Sequence, residues 1–355
     1  MRLRTVLATL TAGLAAATCV SAAGSAGADS VADNACSPSV SIDRFSDALD
    51  KTTYHGTFVG NFSALAVDGD GSLAALEDRS SHLGLDPKTL QPTSAVHLAD
   101  EKGADLDSEG LVIDIPHSRL RSSGGTPVST LLITSETEPS VRRYSRDGKI
   151  LDRLPVPASL QVAPAGRATG NQTFEGLTLL PGGRTLLASM EYAISGDSAG
   201  IVRFQTWKRH HGRFELAAQY AYRTDAGLGV PEVQATPDGR LLVLERGFTA
   251  GVGNTVRLYR ADLRHATDTS GIENLTGQPD VHLIKKTLLT DIATCPSLGA
   301  TAKQPQPNPL LDNIEGMTIT GRDRTGRLKV LLVSDDNQNA AQTTRFYYLR
   351  VRTTP

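Results

Sequence analysis

Acidic residues recur along this 355-residue chain in one fixed grammar. A small or acidic residue opens an apolar run, a Gly-rich turn follows, and a second apolar run is closed by an acid. The five segments run from Ser63 to Glu77-Asp78, Glu109 to Glu136, Glu175 to Glu191, Glu232 to Glu245, and Glu315 to Asp335. Carboxylates gathered in such numbers raise one another's pKa. Relief comes from protonation, from basic partners, or from hard cations among them. Oxygen-rich acidic clusters suit Ca²⁺, which takes oxygen ligands at about 2.3–2.6 Å. The candidate metal ligands are therefore Glu109, Glu136, Glu175, Glu191, Glu232, Glu245, Glu315 and Asp335. Of these, Glu175, Glu245 and Glu315 are the candidate catalytic residues. Arg79, Arg246 and Lys285 are candidate contacts to a substrate anion, Arg as a bidentate fork and Lys as a point charge. A plainer alternative has the acids only tying segments together through salt bridges and backbone amides.

Those residues need elements to carry them. The turns Asp68-Gly69-Asp70-Gly71, Pro181-Gly182-Gly183-Arg184 and Pro237-Asp238-Gly239-Arg240 lie between strand-like runs and read as hairpins. Further strand-like runs follow, such as Val141–Tyr144, Ile201–Trp207 and Thr255–Tyr259, and long amphipathic helices are absent. The openings are 46, 66, 57 and 83 residues apart. Antiparallel units repeated at roughly fifty residues predict an all-β fold, a β-propeller. Five blades are clear. The 83-residue gap and the stretch from Ile42 to Phe58 leave room for a sixth. The start of a hairpin's first strand lies beside the end of its second. The opening and closing acids of every blade are thus expected at one mouth of the central channel.

The ordered set Asp107-Ser108-Glu109-Gly110-Leu111, Phe174-Glu175-Gly176-Leu177, Leu244-Glu245-Arg246-Gly247-Phe248, Asn313-Ile314-Glu315-Gly316-Met317 and Ser334-Asp335-Asp336-Asn337 resembles the phytase-like domain family, described as having esterase-like activity. The resemblance runs from about residue 55 to 351. It implies a secreted propeller related to the calcium-dependent β-propeller phytases, which hydrolyse phosphate esters at an acidic channel mouth. The expected chemistry is metal-assisted hydrolysis of a small anionic ester, phosphate esters included. Without metal the mouth would repel such a substrate. The competing class is a non-catalytic, calcium-stabilised propeller that binds a ligand or protein.

Composition limits the other possibilities. With 36 basic and 38 acidic residues the formal net charge is −2, so no excess points to nucleic acid or an acidic membrane surface. Arg2 and Arg4, the apolar stretch Val6–Val20 and the small residues ending Ala26-Gly27-Ala28 read as a secretory signal peptide over residues 1–28. Cys19 lies within it, without the Leu of a lipobox. No later segment is long and apolar enough to span a membrane. Residues 29–54 are expected as an N-terminal tail or closing segment and 55–355 as the propeller, a secreted monomer. In an oxidising compartment the remaining Cys36 and Cys295 are expected to form a disulfide. Gly196-Asp197-Ser198-Ala199-Gly200 matches G-x-S-x-G, but a strand-like run follows where a nucleophile elbow needs a helix, so Ser198 is expected in a turn. Arg209-His210-His211-Gly212-Arg213 carries one His too many for the R-H-G-x-R of histidine acid phosphatases and is expected as a solvated hairpin.

Overall fold

A computed structural model describes residues 34–115 and 129–353. The expected signal peptide and Cys19 lie outside the described residues. The chain forms five four-stranded antiparallel sheets arranged as the blades of a propeller. Blade 1 holds Phe62–Val67, Leu73–Glu77, Ser81–Leu85 and Pro92–His97. Blade 2 holds Ser108–Asp114, Thr130–Ser135, Ser140–Tyr144 and Ile150–Arg153. Phe174–Leu179, Thr185–Met190, Ile201–His210 and Arg213–Arg223 form blade 3. Gly229–Ala235, Leu241–Thr249, Gly253–Asp262 and Lys285–Asp291 form blade 4. Blade 5 takes Ile314–Arg322, Leu328–Ser334 and Phe346–Val351, and its outermost strand is Val40–Ser46 from the other end of the chain. Pairing Val40 with Val351 and Ser46 with Phe346 thereby closes the ring.

The turn chemistry acts as its residue types dictate. The hairpins at Asp68, Leu180 and Thr236 each close with a backbone N–H to the carbonyl of Ser72, Thr185 and Arg240, at 2.9, 2.8 and 2.8 Å. In each, a glycine (Gly71, Gly183 or Gly239) takes the positive φ that a side chain resists. Inner strands read as near-continuous apolar runs because both their faces are covered. The core is a series of stacks between neighbouring blades. Phe174, Trp207 and Val233 pack in one, Leu244, Ile314 and Tyr347 in another, and Phe62, Val333 and Phe346 in a third.

Among the described residues there is no sixth blade. The 83-residue interval is taken up by the long blade 4 hairpin, the loop 263–284, the outermost strand and the loop 295–311. The Ile42–Phe58 stretch holds the closing strand and a small hairpin, Thr52–Tyr54 with Thr57–Val59. No helix among the described residues is long and apolar enough to cross a membrane. Cys36 and Cys295 form a disulfide across a separation of 259 residues. It pins the segment before the closing strand to the loop after blade 4, where Thr294 Oγ1 also donates to the Cys36 carbonyl at 2.8 Å. Peptide mapping under non-reducing conditions is expected to return Cys36 and Cys295 as one linked pair. Two free thiols in freshly isolated protein would contradict it.

Candidate functional site

The five inner strands, Phe62–Val67, Ser108–Asp114, Phe174–Leu179, Gly229–Ala235 and Ile314–Arg322, contact one another in sequence around the channel. Each carries a register break near its start, skipping Ser63, Glu109-Gly110, Glu175-Gly176, Val230-Pro231 and Glu315 respectively. A bulge re-aims its side chain and bends the strand, and bulges gather at barrel rims and active sites. The glycine after the acid has a separate reason. A Cβ on Gly110 would strike the Glu175 carbonyl, one on Gly176 the Glu232 backbone, and one on Gly316 Val333 and the Ser63–Ala64 backbone. The E-G dipeptide thus aims an acid into the mouth while letting adjacent blades close up.

The structure brings together Glu109, Glu136, Glu175, Glu191, Glu315 and Asp335, with Asp78 and Asp107. Two groups of three carboxylates, Asp107/Glu109/Glu136 and Glu136/Glu175/Glu191, each place one oxygen per residue within 4.8 Å of the others. Glu136 belongs to both. Asn313 Nδ2 donates to Glu315 Oε1 at 2.9 Å and to Asp335 Oδ2 at 3.3 Å, fastening the blade 5 acids. Burial, the larger effect, and like-charge neighbours push Asp78 and Glu136 up to about 7 and Glu191 up to about 8. Glu109, Glu175 and Asp335 stand well above the carboxylate range for the same two reasons.

Blade 4 departs from the expected pattern. Arg246, not Glu245, faces the ring, with Nη2 at 3.0 Å from Glu315 Oε1 and 3.4 Å from Glu191 Oε1. Against the desolvation of its burial, Arg246 is held above its usual pKa by Glu315, Glu191 and Glu175. Glu245 is fully buried on the other face of the strand, accepting from Tyr222 Oη (2.6 Å), the Asp225 N–H (2.7 Å) and Lys286 Nζ (2.5 Å). Its expected roles as ligand and catalytic residue do not fit that position, because adjacent strand residues point to opposite faces. Glu232 is also outside the carboxylate group. It sits beyond the bulge, opposite Leu244, and takes backbone N–H groups of Val233 (2.8 Å), Leu177 and Met317. There it ties three inner strands together, as the backbone-amide alternative envisaged.

Of the expected anion contacts, Arg246 lies in the ring and Arg79 on its exposed rim, Nε 3.9 Å from Asp78 Oδ1. Lys285 is exposed on the outermost strand of blade 4, opposite Asp262, outside the ring. Its neighbour Lys286 carries the buried pairing. Glu77 turns away from Asp78 toward the Gly60 N–H, 3.5 Å off, and burial lifts it to about 8. Asp107, Asn313 and Tyr192 were not among the candidates. Asp107 and Asn313 each stand two residues before an E-G acid, a spacing that marks them in the sequence.

The donor set can be tested for a cation. Asn61 Oδ1, Ser63 Oγ and Asp78 Oδ1, all from the first blade and the turn before it, are buried with no hydrogen-bond partner. Buried oxygens are ordinarily satisfied. Orphaned hard oxygens beside two carboxylate triads fit Ca²⁺ or a similar oxygen-seeking ion. Clefts of about 380 Å³ beside Arg327 and about 450 Å³ beside Arg167 lie elsewhere, and neither gathers unpaired carboxylates.

Ser198 occupies a turn. Its N–H reaches the Leu275 carbonyl at 2.8 Å, and a strand starts at Ile201. His210 pairs with Arg213 across the hairpin of blade 3, so the R-H-H-G-R segment is a strand end and turn. Ser198→Ala is expected to leave hydrolysis of any ester substrate within about twofold, since a lost nucleophile costs orders of magnitude. A folded but inactive variant would restore a serine mechanism.

The chain matches the phytase-like family, described as esterase-like activity of phytase, over residues 57–338. No curated protein matches it. Among solved structures, a gluconolactonase from Xanthomonas campestris is 15% identical, covering 83% of this chain and 73% of its own, at a TM-score of 0.35.

Proposed function

The chain belongs to the phytase-like family, and from that premise we propose that it is a secreted, calcium-dependent hydrolase of small anionic esters, phosphate esters included. The observation that carries the reading is the pair of carboxylate triads sharing Glu136, set beside orphaned oxygens and one arginine. Glu109, Glu136, Glu175, Glu191 and Asp107 would hold the metal, with Asp78, Ser63 and Asn61 completing the blade 1 side. When bound, calcium supplies neutralisation of the substrate's charge and polarisation of a water. The chain's own groups do the rest. Arg246 offers a guanidinium already fixed by Glu191 and Glu315, so its charge is in place for an anionic oxygen without reorganising. Asn313 holds Glu315 and Asp335 in place, and Glu175 faces the mouth beside Glu136. Arg79 meets incoming anions at the rim. Secretion is supported by the Cys36–Cys295 disulfide, which oxidising compartments sustain.

Turnover of 4-nitrophenyl phosphate, followed with calcium and then with excess EDTA, tests the reading. Calcium-dependent release of nitrophenol is expected. Absence of turnover in both would favour the binding propeller, to which the Arg246 and Glu232 tethers already lend a scaffold role.

A further inference from the structure

The mouth is chemically uneven around its circumference. Blades 1, 2, 3 and 5 bring carboxylates to it, and blade 4 brings Arg246. Beyond Arg246 the strand Leu241–Thr249 runs on to the hairpin tip. Strand alternation puts Phe248 on the same face as Arg246, about 7 Å nearer the tip. Gly247 between them faces the other way, since a Cβ there would meet Leu228 and Gly227. Val252 sits in the turn. Phe248 and Val252 are each 56% exposed, more than any other large apolar side chain among the described residues. Scattered exposed apolar residues are ordinary; these two share one hairpin tip, at the end of the strand that carries Arg246 into the mouth. Blade 3 adds Tyr192, half-buried beside Glu191 and Arg246. The tip is also braced: the Asn254 N–H donates to Gln306 Oε1 at 2.8 Å, and Gly253 packs against Pro305 and Gln306.

We propose that Phe248, Val252 and Tyr192 form a subsite for an apolar, preferably aromatic, organic group of the ester, whose anionic head lies against Arg246. This rests on the mouth being an anionic-ester site and adds the substrate class: aryl or alkyl esters rather than polyhydroxylated ones. An apolar group gains by leaving water for Phe248. A polyol set there would give up water hydrogen bonds and find only ring and methyl carbons.

Calorimetric binding of phenylphosphonate and methylphosphonate to the full chain in calcium tests this without requiring turnover. Phenylphosphonate is expected to bind about tenfold tighter, the effect of covering one ring face. Phe248→Ala should bring the two affinities within about twofold. Leu288→Ala, at an exposed apolar residue on the outer strand of blade 4, should leave their ratio intact. Equal affinities in the unmodified protein, or a ratio that survives Phe248→Ala, overturns the subsite and leaves the anion site standing. Binding of neither phosphonate overturns both. Failure to hydrolyse 4-nitrophenyl phosphate while the phosphonate ratio holds overturns the hydrolase reading alone.

Discussion

At pH 8, saturating calcium raises the melting temperature by about 4 °C, and at pH 5 the same calcium changes it little. The magnitude follows from a ligand at a hundredfold excess over Kd, worth roughly 2.7 kcal/mol, spread over the unfolding entropy of a chain this size. The pH dependence comes from the ring. Asp78 and Glu136 are pushed up to about 7 and Glu191 to about 8, from ordinary values of 3.8 for Asp and 4.5 for Glu. Each keeps its proton in the fold at a pH where the unfolded chain has lost it. The resulting stability is fully present below the ordinary values and is lost as pH rises through 7 to 8. The metal-free protein therefore melts lower at pH 8 than at pH 5. Calcium needs the carboxylates deprotonated, so its affinity climbs over the same interval. Scanning calorimetry at the two pH values, with calcium and with EDTA, reads both effects. Equal calcium shifts at pH 5 and pH 8, or none at pH 8, would remove the metal from the ring.

The sequence carried the propeller and most of the ring for local reasons. Gly-rich turns mark hairpins by φ alone, and the E-G dipeptide marks the point where inner strands crowd together. The residues read incorrectly share one cause. In blades 1, 2, 3 and 5 the opening position lies within the bulge, directly after the paired residue Phe62, Ser108, Phe174 or Ile314. In blade 4 the pair is Gly229 with Arg246, the bulge spans Val230-Pro231, and Glu232 falls on its far side. Glu232 thus stands three residues after its paired residue, where the other opening positions stand one after. Glu245 stands one before Arg246, where the other closing acids stand one after their paired residues. Both blade 4 acids are displaced by two residues from the mouth positions, Glu245 lies against Tyr222 and Lys286, and Arg246 reaches the channel instead. Nothing in Leu244-Glu245-Arg246-Gly247 announces the change. The proline that fits the break stands thirteen or more residues earlier, on the partner strand. Lys285 and Lys286 present the same difficulty, since only the pairing decides which of two adjacent lysines reaches inward.

Glu175→Gln and Glu315→Gln, alike in sequence context, are expected to shift metal-free stability in opposite directions. Glu175 has four charged neighbours of its own sign, Glu109, Glu191, Glu136 and Glu315, against the single opposite charge of Arg246. Its conversion to a neutral isostere removes repulsion, so the metal-free protein melts higher at pH 8. Glu315 instead pairs with Arg246 at 3.0 Å and accepts from Asn313. Its loss weakens a buried pair, and the metal-free protein melts lower. The cost stays under the roughly 3–5 kcal/mol of an isolated buried pair, because Glu191 keeps a hold on Arg246. For calcium binding and hydrolysis Glu175→Gln is the more damaging, on the order of a hundredfold, since it strips a ligand from a triad. Glu138 serves as the control, because it is exposed and engaged with Arg142 and Arg153. Glu138→Gln should leave calcium binding unchanged. If Glu175→Gln destabilises the metal-free protein while binding calcium normally, the ring is a scaffold. Arg246 then plays, permanently, the part assigned here to the metal: a fixed positive charge that lets four blades bring their acids to one point.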